Sequence, residues 1–447
     1  MSTRVVVVGG GLAGIATALE AADGGAEVTL LERRAHLGGL TWSFRRDGLW
    51  FDNGQHVFLR CCTEYLDLIR RIGAEDAVTL QSGLELPVLA PGRPTAWLKS
   101  AALPAPFHLG PSLARYRHLG LLDRARSVRA ALALRKLDSD DPALDHRTFG
   151  SWLASKGQSP VAVDHLWNLI ARPTLNLPAD EAALGAAVKV FRTGLLDTAD
   201  AADVGWAVVP LVEAHGEPAR RALDAAGVDV RLGTTAGRLT AGDGFVVQAG
   251  AEQLTADAVV LALPHHVATQ FLPAGALAPG VDPSRLGYSA VVDVQLVLDR
   301  RVTDLPVAAA VDSLVQFVFD RTHAAGARRG QVLAVSLSAA DALLPLSPGE
   351  LVEDVRRSLV DLFPATGDAE VLDAVVTKER TATFRAVPGA LADRPGPVTR
   401  VPGLTLAGAW TATGWPATME GAVRSGRAAA RAVFGSPFPH RSEEALA

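Results

Sequence analysis

Two groups of residues in this chain have the types and spacing to do chemistry. One is Asp52-Asn53-Gly54-Gln55-His56, a polar run held between the apolar Phe51 and Val57. An imidazole changes its protonation near neutral pH, so His56 is a candidate general acid and Asp52 a second, weaker one. The duller alternative is a histidine hydrogen-bonded for structural reasons. The other group is Gly9-Gly10-Gly11-Leu12-Ala13-Gly14, a GxGxxG pattern followed by Glu32 eighteen residues beyond Gly14. Glycines at that spacing let a pyrophosphate approach the backbone, and an acid after the next strand accepts hydrogen bonds from a ribose.

The elements that must position these residues are legible around them. A run of four valines, Val5-Val6-Val7-Val8, reads as a buried parallel strand opening into the glycines; residues 15–22 continue as a helix, and residues 27–31 form a second strand ending at Glu32. Strand, glycine turn, helix, strand and acid is the context that gives the motif its meaning. Arg34 can reach a phosphate. The pair Gly38-Gly39, followed by Leu40, lets the chain pass close to the middle of an extended cofactor, which favours a flavin dinucleotide, FAD, over a nicotinamide one; a plain surface turn is the alternative. Gln55 belongs to the same lining.

Downstream, residues 228–232, 245–248 and 258–262 read as strands returning to this domain, with Ala236 placed to meet an adenine through its backbone. Near the end of the chain a strand closes on Gly408. Thr418 and Met419 then open a helix of small residues whose first N–H groups can face the flavin ring.

The chain therefore reads as an α/β protein with a Rossmann-type FAD-binding domain that is discontinuous in sequence, built from 1–80, 197–270 and 385–435. An inserted α+β substrate-binding region takes 81–196 and 271–384, and 436–447 is a flexible tail. Within the insertion, residues 84–111 look proline-rich and irregular, 113–137 look like one basic amphipathic helix, and 151–169 look like a helix broken by Arg172-Pro173. Strands at 291–298, 314–319 and 331–337 and a helix at 351–362 would wall an apolar pocket.

Composition narrows the partners. The chain has 447 residues, 49% of them hydrophobic and 20% charged, and a net charge of −5, which gives no pull toward nucleic acid. Its two cysteines, Cys61 and Cys62, are adjacent and far from any zinc spacing, so no metal site is expected and a reducing, cytoplasmic setting is the simplest inference. The nucleotide-binding strand begins at once, leaving no room for a signal peptide, and Gly and Pro interrupt the long apolar windows that a membrane-crossing helix would need. The basic stretch 113–137 can lie on an anionic membrane surface, making the protein peripheral there. The competing reading is a substrate-domain helix with a solvated basic face, since no large aromatic anchors its apolar side.

With these residues in hand, a resemblance follows. The GxGxxG with Glu32 and Gly38-Gly39, the strand leading to Pro264, and the terminal Leu406-Ala407-Gly408 with Glu420-Gly421-Ala422 are similar to the amine oxidase and carotenoid desaturase superfamily of FAD enzymes. Asp52-Asn53-Gly54-Gln55-His56-Val57, Thr174-Leu175-Asn176 and Pro416-Ala417-Thr418-Met419-Glu420-Gly421 resemble the hydroxysqualene dehydroxylases within it. One position departs. Such flavoproteins usually carry an acid after the Leu-Ala-Gly glycine, where this chain has Ala409, so flavin binding falls to the N-terminal motif and main-chain contacts.

The resemblance implies reductive removal of an allylic hydroxyl from hydroxysqualene, an apolar isoprenoid, to give squalene. His56 would be the acid near the flavin, with Asp52 second; the physiological reductant is not implied. The alternatives are an oxidative desaturase of a carotenoid precursor, an amine oxidase, disfavoured by only three tyrosines, and a flavin-binding protein without catalysis.

Overall fold

Branched side chains buried on both faces belong inside a parallel sheet, and strands of this kind form the centre of a five-stranded one. The computed structural model describes residues 2–435; the expected tail 436–447 lies outside the described residues. Asp229–Arg231, Glu27–Leu31, Arg4–Val8, Ala258–Leu261 and Leu404–Leu406 lie side by side in that order, every neighbouring pair parallel. All three sequence segments expected in the nucleotide-binding domain contribute strands to this one sheet.

Alternate residues of the sheet serve two cores. Val5 and Val7 pack with Ile15 and Leu19 of the helix Leu12–Asp23 and with Val423 and Ala429 of the helix Met419–Val433. On the other face Val6, Val8, Val259 and Leu261 meet Phe245 and Val247, which belong to a three-stranded antiparallel sheet spanning 236–256. The parallel sheet is thus sandwiched between helices and a small antiparallel layer.

The rest of the chain builds a seven-stranded sheet in the order Val371–Thr383, Ser289–Leu298, Gln331–Ser338, Phe317–Asp320, Val307–Ala310, Glu85–Ala90 and Arg93–Lys99. Its members come from both halves of the expected insertion, and the parallel pairing of Ala309 and Ala310 with Val88 and Leu89 joins them. The helix Pro348–Leu362 covers one face with Leu351, Val355 and Leu359, and a capping box between Ser347 and Glu350 starts it.

Four local expectations change. Residues 84–111 are not irregular throughout: 85–99 form a hairpin, because Pro94 sits on the edge strand and Pro87 lies outside the two residues that pair with the neighbouring strand. The basic stretch 113–137 is two helices, Gly110–Arg115 and Leu121–Leu134. Tyr116 and His118 between them are drawn inward, where the Tyr116 hydroxyl donates to the His165 carbonyl at 2.8 Å and His118 meets the Val88 carbonyl at 2.9 Å. Helix Asn168–Leu175 runs through Pro173, which forgoes one backbone hydrogen bond, and ends two residues later at Leu175, before the left-handed Asn176. Residues 371–383 form a long strand that the polar composition concealed.

Candidate functional site

The first strand ends in the glycine turn, and the helix Leu12–Asp23 begins at Gly11 with no side chain capping its N-terminus. Its first N–H groups therefore remain open to an anion. A Cβ at Gly14 would lie 1.8 Å from the Gly9 carbonyl oxygen, so the helix can pack this close to the strand end only with glycine there. The Gly38 N–H donates to the Gly10 carbonyl at 2.9 Å, which folds the 38–39 turn across the motif. Gly39, at φ +63, is equally restricted: a Cβ would sit 2.9 Å from Gly11 Cα.

Glu32 is buried, and its carboxylate accepts from the N–H groups of Gly10 at 2.7 Å and Arg34 at 2.8 Å. Each oxygen keeps a lone pair for a ribose hydroxyl. The Arg34 guanidinium donates to the Gly39 carbonyl at 3.1 Å, and Leu40 is exposed beside it. The segment leading to Ala236 is tied to the same corner, because the N–H groups of Thr234 and Gly233 donate to the carbonyls of Glu32 and Arg34, each at 2.9 Å.

Gly408 closes the last parallel strand, its N–H donating to Ser425 Oγ at 2.8 Å. Thr418 caps the helix Met419–Val433 by accepting from the Gly421 N–H at 3.1 Å. Glu420 in that first turn is fully buried and turned away, accepting from the Tyr65 N–H at 2.8 Å and pairing with Arg424 at 2.6 Å. It caps the neighbouring helix Thr63–Arg71, which has no cap of its own.

Around Ala409 a residue missed by sequence reasoning takes charge. Arg394 donates to the carbonyls of Ala409, Trp410, Thr411 and Trp415 at 3.3, 3.1, 2.5 and 2.8 Å. Burial lowers its pKa to about 10, which still leaves it charged at neutral pH. A half-buried cation thus organises the loop in which an acid was expected. Its signal in the sequence was slight: one arginine in a Pro/Gly-rich stretch.

The polar run emerges from the hairpin Ser43–Arg46 and Leu49–Asp52 and lies over the strand Ser289–Leu298. Asp52 is buried and fully committed. Its carboxylate accepts from the Ser43 hydroxyl at 2.7 Å, the Leu211 N–H at 3.0 Å and the Arg321 guanidinium at 2.8 Å. With a hydroxyl, a backbone N–H and a guanidinium all directed at it, this carboxylate is engaged in holding the hairpin end to residues 211 and 321.

His56 is partly buried, and its Nδ1 lies 3.0 Å from the Gly54 carbonyl. A carbonyl only accepts, so Nδ1 carries the hydrogen and Nε2 presents a lone pair. Burial lowers the His56 pKa and keeps the ring neutral at pH 7. Gln55 places its N–H 3.1 Å from the Asp293 carboxylate, while its side-chain nitrogen is buried with no partner among the described residues.

Asp293, 2% exposed in the middle of the strand Ser289–Leu298, is the second residue that sequence reasoning missed. A Cβ at Gly54 would stand 2.9 Å from Asp293 Oδ2, so the acid presses directly against the loop that carries His56. Desolvation raises its pKa to about 7, and the Gln55 N–H and the Ser336 hydroxyl only partly offset this. Two residues along, Gln295 donates to the Asp52 carbonyl at 2.8 Å. A charged residue at 293 in an otherwise uncharged strand was its trace in the sequence.

Among the described residues no cluster of His, Cys, Asp and Glu could hold a metal. The open helix start, the glycine crossing and Glu32 fit an adenine dinucleotide, and the unpartnered Gln55 amide fits a polar ligand beside the polar run. A family profile described as flavin containing amine oxidoreductase matches residues 12–434. The chain belongs to that family. It is an FAD-dependent oxidoreductase.

Similar proteins include the hydroxysqualene dehydroxylase of Rhodopseudomonas palustris, 30% identical with 97% of this chain and 99% of the relative covered. That of Sinorhizobium fredii is 29% identical, with 96% and 98% covered. The zeta-carotene desaturase of Solanum lycopersicum is 27% identical over 95% of this chain and 80% of its own. Among solved structures, putrescine oxidase bound to putrescine superposes with a TM-score of 0.72 at 18% identity, covering 98% of this chain and 100% of its own. At that identity the likeness is one of fold.

Proposed function

We propose that this enzyme reductively removes an allylic hydroxyl from a long isoprenoid alcohol, hydroxysqualene in the first instance, giving squalene. The observation that carries the reading is the contact between Asp293 and the loop 54–56. A hydroxyl leaves as water only after its oxygen gains a proton. A buried carboxyl that keeps its proton up to about pH 7 is a suitable source.

FAD, when reduced, supplies the hydride for the carbon that loses the hydroxyl. It would be held by Gly9, Gly11, Leu12, Ala13, Gly14 and Glu32, with Arg34, Gly38, Gly39, Leu40 and Ala236 along the adenosine half. Gln55, Gly408, Thr418 and Met419 would attend the flavin half. Asp293 gives up a proton to the hydroxyl oxygen. The C–O electron pair departs with water, and the allylic cation is quenched at the same carbon. Asp52 acts by position, because its ion pair with Arg321 pins the hairpin end from which the loop starts. The apolar substrate enters from a lipid phase, and contact with a membrane through residues 113–137 forms part of this reading.

One observation favours a second reading. The bare His56 Nε2 is equally suited to accept a proton, as an oxidative desaturase acting on a carotene would need. Anaerobically reduced enzyme incubated with hydroxysqualene, then extracted and analysed by mass spectrometry, separates the two. Squalene is the expected product. Unchanged hydroxysqualene together with desaturation of a carotene by the oxidised enzyme would sink the dehydroxylase assignment.

A further inference from the structure

The helix Leu121–Leu134 is built inside out relative to a packed helix. Leu121, Ala125, Val128 and Leu132 fall within about 60° of one another at ~100° per residue, the stripe that ordinarily seeks a core. Here Ser127, Ala130 and Leu134 face inward, while Leu121 is 79% exposed and Ala125, Val128 and Leu132 are exposed with it. Arg129 flanks the stripe on one side, and Arg124 and the C-cap residue Arg135 flank it on the other. An apolar stripe bordered by cations and turned away from its own protein has the design of an interfacial helix.

The surface continues N-terminally. Arg124 bridges to the preceding helix, donating to the carbonyls of Leu119 at 2.9 Å and Ala114 at 2.6 Å. That helix, Gly110–Arg115, docks on the strand Arg93–Lys99 through Ser112, which accepts from the Lys99 N–H at 2.9 Å and donates to the Trp97 carbonyl at 2.7 Å. Between helix and strand opens a cavity of about 460 Å³ lined by Trp97, Lys99, Ser100, Ser112, Arg115 and Arg117. Beside it Leu103, Leu122 and Phe107, the last 61% exposed, stand in solvent. The fold therefore supplies Trp97 and Phe107, the aromatic anchors that residues 113–137 lack by themselves.

Charge names the occupant. Residues 93–136 hold nine Arg and Lys against one acid, Asp123, in a chain whose net charge is −5. Three of the nine are paired with acids outside the stretch, Arg93 with Asp312, Lys99 with Glu85 and Arg135 with Asp197. Arg117 and Arg129 are exposed and make no ion pair among the described residues. Large exposed apolar side chains among unpaired cations suit a surface that is anionic outside and apolar beneath.

We propose that residues 95–132 form a docking face for an anionic phospholipid bilayer, with the basic cavity taking a lipid phosphate and Phe107, Leu121 and Leu122 entering the acyl boundary. This deepens the proposed activity by naming the phase that delivers the substrate. Its test contains no substrate, so either proposal can fail alone.

The test is co-sedimentation of the FAD-loaded full chain with vesicles of phosphatidylcholine alone or mixed with phosphatidylglycerol. Binding to the mixed vesicles, weakened by salt, is expected. Arg117→Gln should lower that affinity about fivefold, and the double variant Leu121→Ser, Leu122→Ser should lower it more than ~10-fold. Both variants should keep wild-type thermal unfolding. Equal binding to neutral and anionic vesicles, or unchanged binding by both variants, overturns the proposal. So does a wild-type dimer in sedimentation velocity that the double leucine variant converts to monomer, because the stripe would then be covered by a second copy.

Discussion

The nucleotide-binding half and the substrate half of this molecule are built on opposite plans. In the first, one strand–helix–strand unit supplies the contacts: Glu32 accepts from the N–H groups of both Gly10 and Arg34. In the second, Asp52 meets Arg321, Gln55 meets Asp293 and Gln295 meets the Asp52 carbonyl, each contact spanning more than two hundred residues of chain. The one is a motif and the other an assembly. Cofactor binding should therefore respond to local lesions, and proton chemistry to distant ones.

The sharpest way to break this contrast is Gly14→Val. A branched side chain where even a Cβ meets the Gly9 carbonyl at 1.8 Å must push the helix start from the strand, and the purified protein should show essentially no flavin absorbance. Retention of stoichiometric FAD would mean that the motif is not where the pyrophosphate binds. Next in size is Arg321→Ala, which leaves the Asp52 carboxylate buried without its partner. Urea denaturation should register a loss of about 3–5 kcal/mol, although the two residues are far apart in sequence.

Asp293→Asn separates charge from shape. The folded-state pKa of Asp293 is raised from 3.8 to about 7, so between those values the folded protein holds a proton that the unfolded chain has lost. Stability must then fall as pH rises through that window, by up to about 4 kcal/mol, and the asparagine variant should lack this slope. Activity of the wild type should decline above pH 7, whereas the variant should be slow at every pH. If wild type and variant keep the same pH–stability curve, Asp293 is not the buried acid described here.

Two smaller effects refine the comparison. Glu420→Ala removes the acceptor for the Tyr65 N–H and strands Arg424, and should cost about 1–2 kcal/mol as a lost helix cap. That would show a long-range contact inside the nucleotide-binding half as well. Ala409→Asp, measured by flavin titration, should change FAD affinity less than ~10-fold, no more than one ordinary net hydrogen bond of about 1 kcal/mol, because Arg394 already holds the loop.

These contrasts explain which features could be read early. The parallel sheet was legible because its central strands, Arg4–Val8 and Ala258–Leu261, carry continuous apolar runs, and the glycine turn because its spacing is enforced by sterics within a few residues. The hairpin at 85–99 and the strand at 371–383 were hidden, since prolines at an edge and charges on a partly exposed face look like loop. The helix 113–137 was misread as one piece. Nothing local announces that Tyr116 and His118 will turn inward to distant carbonyls.

His56 illustrates the boundary best. Residue type alone nominated it, and its neighbour Asp52, for acid chemistry. The fold kept the pair but changed their parts: burial and the Gly54 carbonyl leave His56 neutral with a bare Nε2, and Asp52 is tied to Arg321. A third residue, Asp293, holds the proton.

What the sequence determined unaided was the strand–turn–helix–strand unit, the discontinuous parallel sheet and the family these imply, because short-range geometry and apolar periodicity are written in consecutive residues. Only the tertiary structure decided which acid is protonated and which way the stripe on Leu121–Leu134 faces. Protonation depends on desolvation and on partners brought from elsewhere in the chain, and exposure depends on what the rest of the fold leaves uncovered.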